Sequence, residues 1–473
     1  MGFVGGNMNN DLVCLIANLG TSDLKLDGEP IKPLREKSKA IFDNYPNYSS
    51  HLTTPILSPV LNMIAKNYPD TKLDVVFFLT DQPEVVPQRV SDTIFIADII
   101  KKLWMESGNR PKINKVCKYA IQSNPNLSDS MYKLYDEQFN RRKKIFSKYE
   151  TIYLSITGGI PACNIALLFN AIIHFGDLCV PVFTNETDTT AISLQINKQI
   201  GYAVRNKILE EAIKQYDYAL ADTLFQEQNK PIAALIARSA EHRMNFDFET
   251  AIKILDEVIS KDLTSARSLA LEMKNEITRA INEDFNALIN ELYGNMKAYW
   301  ERKAYLDMIG RVFRFIEAVL RNEVEKMSIH TKAVNDSKNF SKYQESINNI
   351  QGLTEYLDKE SVYGEKLNYD KPNIPTFLAI LEFQIIKDQK DGEKCERLKI
   401  IREQCSKLNS LSSLRNKSPL GHGFKGVSLE KIQEEFSEFT FETINYLLIT
   451  AGIEINNPYS KINEFLLKSI EDY

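Results

Sequence analysis

Five short runs rich in Val, Ile, Phe and Tyr punctuate roughly the first two hundred residues and then cease, and this change of pattern constrains the fold most. The runs cover residues 12–18, 73–80, 114–121, 151–157 and 178–184, and each predicts a strand. Between them, residues 91–104, 128–146 and 161–175 are amphipathic and predict helices. That alternation predicts a doubly wound, Rossmann-like sheet covered on both faces, with ligands expected beyond the C-terminal strand ends. From about residue 188 the strands are expected to stop. Residues 191–257 read as successive amphipathic helices, with small residues at helix-pair spacing in Tyr218-Ala219-Leu220-Ala221. Residues 277–327 continue as long helices with an expected interruption near Tyr293-Gly294, and helical pattern returns at 375–387, 393–408 and 429–451. The intervening residues 331–371 are polar and predict a surface excursion, partly helical and mobile. The fold class is therefore α/β followed by all-α.

A chain of 473 residues exceeds one ordinary core, and its 43% apolar content suits a globular protein. Lys+Arg 58 against Asp+Glu 63 leaves a net charge of -5, so an overall basic field is not what would hold a nucleic acid. The six cysteines are scattered and lack metal-ligand spacing, which predicts reduced, buried thiols. The first ten residues carry no apolar core of a signal peptide, and no run approaches the roughly 20 apolar residues of a membrane helix. A cytoplasmic protein with no membrane partner is expected.

Two strand ends carry small, polar, turn-forming residues. Asn18-Leu19-Gly20-Thr21-Ser22-Asp23 follows the first strand, and Thr157-Gly158-Gly159-Ile160-Pro161 follows the fourth at a helix start. Glycines let backbone approach a ligand, Pro161 suits a first helical turn, and exposed amides at a helix N-terminus favour phosphate. Thr21, Ser22 and Thr157 add hydroxyls. Neither loop matches the dinucleotide or Walker glycine patterns, which disfavours redox cofactors and triphosphate hydrolysis. Asp81-Gln82-Pro83 after the second strand is a fainter candidate for the same crevice.

In the helical half, Arg415-Asn416 and His422 flank the helix breaker Ser418-Pro419-Leu420-Gly421, which is expected to leave the pair on a loop. A neutral imidazole can accept the proton of a ribose 2'-hydroxyl, and a guanidinium can grip phosphate oxygens as they gain charge. Of five histidines only His422 has such a setting, with Lys417 and Lys425 beside it. Asn416 could hold the phosphate or fix the imidazole. Upstream, Glu317 and Arg321 sit four apart on one helix face, either as a plain ion pair or with Glu317 orienting a catalytic group and Arg314 or Arg321 holding phosphate.

Taken together, the Thr-Gly-Gly-Ile-Pro-Ala loop at 157–162 and Gly20-Thr21-Ser22 resemble the CARF sensor domain of CRISPR-associated proteins. Arg415-Asn416…His422 and the Glu317-x-x-x-Arg321 helix resemble the catalytic region of HEPN ribonucleases. With a helical bridge between them, the chain resembles the ancillary ribonuclease of type III CRISPR systems. The resemblance implies a CARF domain at 1–190, a helical linker at 191–290 and a HEPN domain at 291–473. It also implies a homodimer whose CARF pair binds a cyclic oligoadenylate, tetra or hexa, and whose HEPN pair cuts single-stranded RNA without a metal or cofactor. Gly20, Thr21, Ser22, Thr157, Gly158, Gly159 and Asn164 would then line the ligand, and Arg415, Asn416, His422 and Glu317 the nuclease site. Some relatives also cleave their activator slowly in the CARF pocket, for which Thr21, Ser22 or Thr157 could position a 2'-hydroxyl. The rival readings are a sensor with a non-catalytic helical dimerisation domain, and a HEPN toxin without nucleotide control. No heptad or apolar stripe in the sequence announces the dimer.

Overall fold

The computed structural model describes residues 12–106, 111–185, 190–261, 265–331, 337–362, 365–388, 391–437 and 439–471. The Gly- and Asn-rich first ten residues lie outside them. The chain divides into two compact units, Met1–Arg205 and Asn206–Tyr473.

In the first unit, β1 (Leu12–Asn18) is followed by a small antiparallel ribbon of β2 (Lys25–Leu26), β3 (Glu29–Pro30) and β4 (Leu52–Thr53). Helices α1 (Leu34–Asp43) and α2 (Leu57–Asn67) lead to β5 (Lys72–Thr80), α3 (Ile96–Glu106) and β6 (Lys112–Ile121). Then come α4 (Ser128–Arg141), α5 (Lys143–Phe146), β7 (Thr151–Ser155), α6 (Pro161–Phe175), β8 (Cys179–Thr184) and β9 (Ala191–Ser193). The sheet order is β6-β5-β1-β7-β8-β9, parallel except for β9. Along β1 the side chains alternate between two cores. Val13, Leu15 and Ala17 join α1, α2 and α3, whereas Cys14 and Ile16 join α4 and α6. A strand buried on both faces reads as a continuous apolar run, which is why the sequence marks it so clearly. The chain winds outward from β1 to β5 and β6, then returns to β7 on the other side of β1. The switch point between β1 and β7 is where such sheets open a crevice.

The span Pro161–Leu178, which is α6 with the turn that follows it, is long and apolar enough by length and composition to cross a membrane, yet Cys163, Ala166, Leu167 and Ala171 pack on the sheet as in a core helix. Its outer side shows Ile165, Phe169 and Ile173 in water, 45–64% exposed at helical spacing. This apolar stripe was invisible in the sequence, because a helix apolar all round does not say which side is covered.

The second unit is helical apart from the short hairpin of β10 (Ser361–Val362) and β11 (Glu365–Lys366) among the described residues. Helix α7 (Ile196–Lys214) enters it from the first unit. The hairpins α8 (Tyr218–Glu227), α9 (Pro231–Met244), α10 (Phe248–Lys261) and α11 (Ser265–Ile281) follow. They share one core with the final helix α21 (Ser460–Glu471), through Ile462, Leu466 and Ile470. A second core gathers α12 (Phe285–Glu301), α13 (Tyr305–Glu325), α14 (Ser337–Asn348), α15 (Leu353–Leu357), α16 (Ile374–Lys387) and α17 (Gly392–Ser410). Helices α18 (Ser412–Lys417), α19 (Leu429–Glu435) and α20 (Phe441–Thr450) complete it.

Four expectations change here. Strands do not end near residue 188, since β9 pairs antiparallel with β8 and β10 pairs with β11. The polar stretch 331–371 is anchored rather than a surface excursion: Tyr343, Ile347, Leu353 and Leu357 are fully buried in the second core. Residues 332–336 and 363–364 of that stretch lie outside the described residues. Helix α12 runs unbroken through Tyr293-Gly294. A methyl at Gly294 would come within 3 Å of Asn457, Pro458 and Tyr459, so the glycine permits close packing instead of a break. Residues 429–451 form two helices, α19 and α20, separated by a turn where Phe436 and Phe439 insert into the core.

Candidate functional site

The two loops beyond β1 and β7 meet at the switch point. Asp23, fully buried, accepts a hydrogen bond from the Gly20 amide at 2.7 Å and closes the first loop on itself. A side chain on Gly20 would collide with the Gly159 amide at 2.4 Å, and Gly159 adopts φ +82°, which favours glycine. Behind them Asn164, in the first turn of α6, donates to the carbonyls of Ile156 (3.0 Å) and Gly158 (2.6 Å). Its own carbonyl accepts from Asn18 at 2.8 Å, and Asn18 in turn accepts from the Tyr135 hydroxyl at 2.6 Å. Burial pushes the Tyr135 phenol well up, so it remains a proton donor to Asn18. Asn164 therefore shapes the second loop from beneath. The Thr157 hydroxyl accepts from the Thr184 amide at 2.8 Å and ties the loop to β8. Thr21 points to solvent and Ser22 is half-buried. The sequence alone gives neither Asn18 nor Asp23 a role. A polar residue ending an otherwise apolar strand, and a carboxylate closing a Gly-x-x-Asp turn, were the available signals.

Asp81 forms an ion pair with Arg35 at 2.8 Å, and Arg35 also pairs with the buried Asp92 at 3.0 Å. Asp92 accepts from the Gln82 amide at 2.6 Å. The loop after β5 is thereby latched to α1.

In the second unit, Arg415 lies in the last turn of α18 rather than on a loop, because the helix breaker at 418–421 acts only after it. Its guanidinium lies over the Phe313 ring of α13 with 4.5 Å to the centroid, and its Nε and Nη2 donate to Asn416 Oδ1 at 3.3 and 3.0 Å. The ring below and the amide beside it limit where the guanidinium can point. The chain then folds back on the helix end. Ser418 Oγ donates to the Arg415 carbonyl at 2.7 Å, and the His422 amide donates to the Asn416 carbonyl at 3.0 Å. The turn is tight: a methyl on Gly421 would meet Asn416 Cα at 2.6 Å, and one on Gly423 would meet the Lys417 carbonyl at 2.2 Å. Leu420 caps Gly310 on the same helix as Phe313. Arg415, Asn416 and His422 are thus gathered at one helix end, with Asn416 and His422 exposed and Arg415 half-buried.

Glu317 stands one helical turn beyond Phe313 on α13, so it faces the same side. Its carboxylate is taken by Arg321 at 2.7 Å and Arg314 at 3.0 Å, and Arg321 also donates to the Thr331 carbonyl at 3.1 Å. Arg321 is committed within the fold, whereas Arg314 is largely exposed. Nothing in the sequence marks Phe313 as the support under Arg415, because one aromatic in an amphipathic helix reads as core.

The family model of the Cas_Csm6 HEPN domain covers residues 277–467. Among solved structures, Enterococcus italicus Csm6 bound to cyclic hexa-2'-fluoro-hexa-dAMP superposes with a TM-score of 0.55 at 14% identity. That match covers 97% of this chain and 99% of the other. No match is found among the curated proteins. The helical region thus matches the Csm6 HEPN model, and the expected order of a Rossmann-like unit followed by helices holds along the chain.

Proposed function

We propose that this Csm6-like chain is a metal-independent endoribonuclease for single-stranded RNA, switched on by a cyclic oligoadenylate and working in the cytoplasm. The observation that carries the reading is the gathering of Arg415, Asn416 and His422 at one solvent-facing helix end. In the reaction, the His422 imidazole takes the proton of a ribose 2'-hydroxyl, whose oxygen attacks the adjacent phosphorus. The P–O5' bond breaks, the leaving oxygen takes a proton from the second copy's His422 in its imidazolium form, and a 2',3'-cyclic phosphate remains. Arg415, steadied by Phe313 and Asn416, stabilises the phosphoryl oxygens as charge builds on them. Glu317 keeps Arg314 directed at the RNA backbone.

The activator site is the pair of loops after β1 and β7, where Gly20, Thr21, Ser22, Thr157, Gly158 and Gly159 meet. Backbone amides and the N-terminus of α6 suit its phosphates. The relative with a bound cyclic hexanucleotide supports this ligand class. Two copies associate through the apolar stripe Ile165-Phe169-Ile173 of α6, bringing two such sites together. Binding activates only if the ligand prefers one of two states of that dimer.

The test is an RNA carrying a single 2'-deoxyribose at the mapped cut site. The expected result is loss of cleavage at that position alone, with cyclic phosphate on the products of the unmodified strand. Cleavage that persists at the deoxy position would remove the 2'-hydroxyl mechanism.

A further inference from the structure

Two residues beyond His422, the Phe424 ring is 96% exposed, the highest value among the exposed large apolar side chains of the described residues. Its backbone is nevertheless fixed on both sides. The Gly423 amide donates to the Ser418 carbonyl at 3.2 Å, and the Lys425 amide to the Lys417 carbonyl at 2.8 Å. The ring is therefore held out in water by the same turn that sets His422. A lone exposed ring could serve as an anchor for another protein, but such anchors sit among apolar neighbours. On this turn Leu420 is the one other exposed large apolar side chain, and the remaining named neighbours are cationic or polar: Arg415, Asn416, Lys425, and Lys417, which lies 4.0 Å from Glu435. Lys425 is exposed and makes no ion pair among the described residues. Aromatic faces interleaved with cations suit single-stranded nucleic acid, whose bases stack while its phosphates meet the charges.

We propose that Phe424 is the base-stacking platform of the nuclease site, seating the nucleobase next to the scissile phosphate, with Lys417 and Lys425 on the flanking phosphates. Two residues span at most about 7 Å, which keeps the ring within reach of a nucleotide adjoining the one His422 acts on. Stacking of this kind tolerates any base, since each offers a π-face. The proposal rests on the ribonuclease reading.

The experiment has two arms, both with cyclic hexa-adenylate and, in parallel, cyclic tetra-adenylate. In the first, His422→Ala protein is titrated into single-stranded RNA containing 2-aminopurine, whose fluorescence reports stacking. The expected outcome is quenching that is lost in His422→Ala/Phe424→Ala and kept in His422→Ala/Phe424→Trp. In the second, Phe424→Ala raises the KM for RNA about ten-fold, with a smaller effect on kcat, and Phe424→Trp restores it. Sedimentation of Phe424→Ala is expected to match the wild type; a changed oligomeric state would make the ring a contact between copies and overturn the platform. Normal cleavage indifferent to Phe424→Ala would also overturn it and leave the nuclease standing. A wild type that cleaves nothing, yet loses quenching with Phe424→Ala, would remove the nuclease and keep the platform.

Discussion

Gly421→Ala is the most informative small change in the helical unit. An ideal Cβ there stands 2.6 Å from Asn416 Cα, 2.7 Å from its carbonyl oxygen and 2.8 Å from the Arg415 carbonyl oxygen. Ordinary van der Waals contact begins near 3.4 Å, so the turn must retreat by roughly 0.6–0.8 Å from a backbone that cannot yield. The amide of His422, now 3.0 Å from the Asn416 carbonyl, would move beyond good hydrogen-bond range. Losing that bond costs about 1 kcal/mol of stability, so the protein should fold. Catalysis is more sensitive, because a displacement of about 1 Å can cost on the order of a hundred-fold. The assay is single-turnover cleavage of a fluorescent RNA with activator present, beside thermal unfolding. Gly426→Ala is the control, since nothing lies within 4 Å of its added methyl. A Gly421→Ala protein that cleaves within threefold of the wild type would refute the claim that this turn sets the His422 geometry.

Further outcomes are expected elsewhere in the chain. Arg243 is 1% exposed and binds Glu291, itself 2% exposed, at 2.5 Å. Arg243→Leu should destabilise the helical unit by about 3–5 kcal/mol in denaturant unfolding by stranding that carboxylate, and Arg243→Leu/Glu291→Leu should recover most of the loss. Burial pushes the Cys163 thiol up to about 11 and the Cys179 thiol up to about 12. At pH 8 their thiolate fractions are then about one in a thousand and one in ten thousand, so a thiol reagent should modify half-buried Cys117 well before either. Reactivity of Cys163 or Cys179 should rise as pH approaches those values, since the thiolate is the nucleophile. Phe169→Glu, in the middle of the exposed stripe on α6, should shift sedimentation from dimer to monomer while leaving circular dichroism unchanged.

Much of the α/β half was legible because its central strands are buried on both faces. The run at 12–18 coincides with β1, and the helix at 161–175 with α6, which opens on Pro161. The run at 151–157 overshot β7 by two residues, since Thr157 leaves the sheet to bond the Thr184 amide. Three-residue β9 offered too little pattern to register. In the helical half, the breaker at 418–421 marks a stop where α18 ends, yet α18 has only six residues and no period to reveal it. That is why Arg415 was expected on a loop. Tyr343, Ile347, Leu353 and Leu357 anchor the polar segment as two pairs, each about one turn apart on a short helix, too sparse a pattern to outweigh its charged surroundings. The loops after β1 and β7 could be located by their glycines, but not their mutual contact. Gly20 and Gly159 are far apart in sequence, and only the parallel pairing of β1 with β7 brings them together.

The most direct measurement is cleavage of a fluorescent single-stranded RNA in EDTA, with and without cyclic tetra- and hexa-adenylate, beside His422→Ala. The account expects cleavage that needs one of the two ligands, persists in EDTA and falls by a hundred- to ten-thousand-fold in the variant, as loss of a general acid/base typically does. Ligand binding with no cleavage under any condition would contradict the nuclease and leave a sensor whose helical half only pairs.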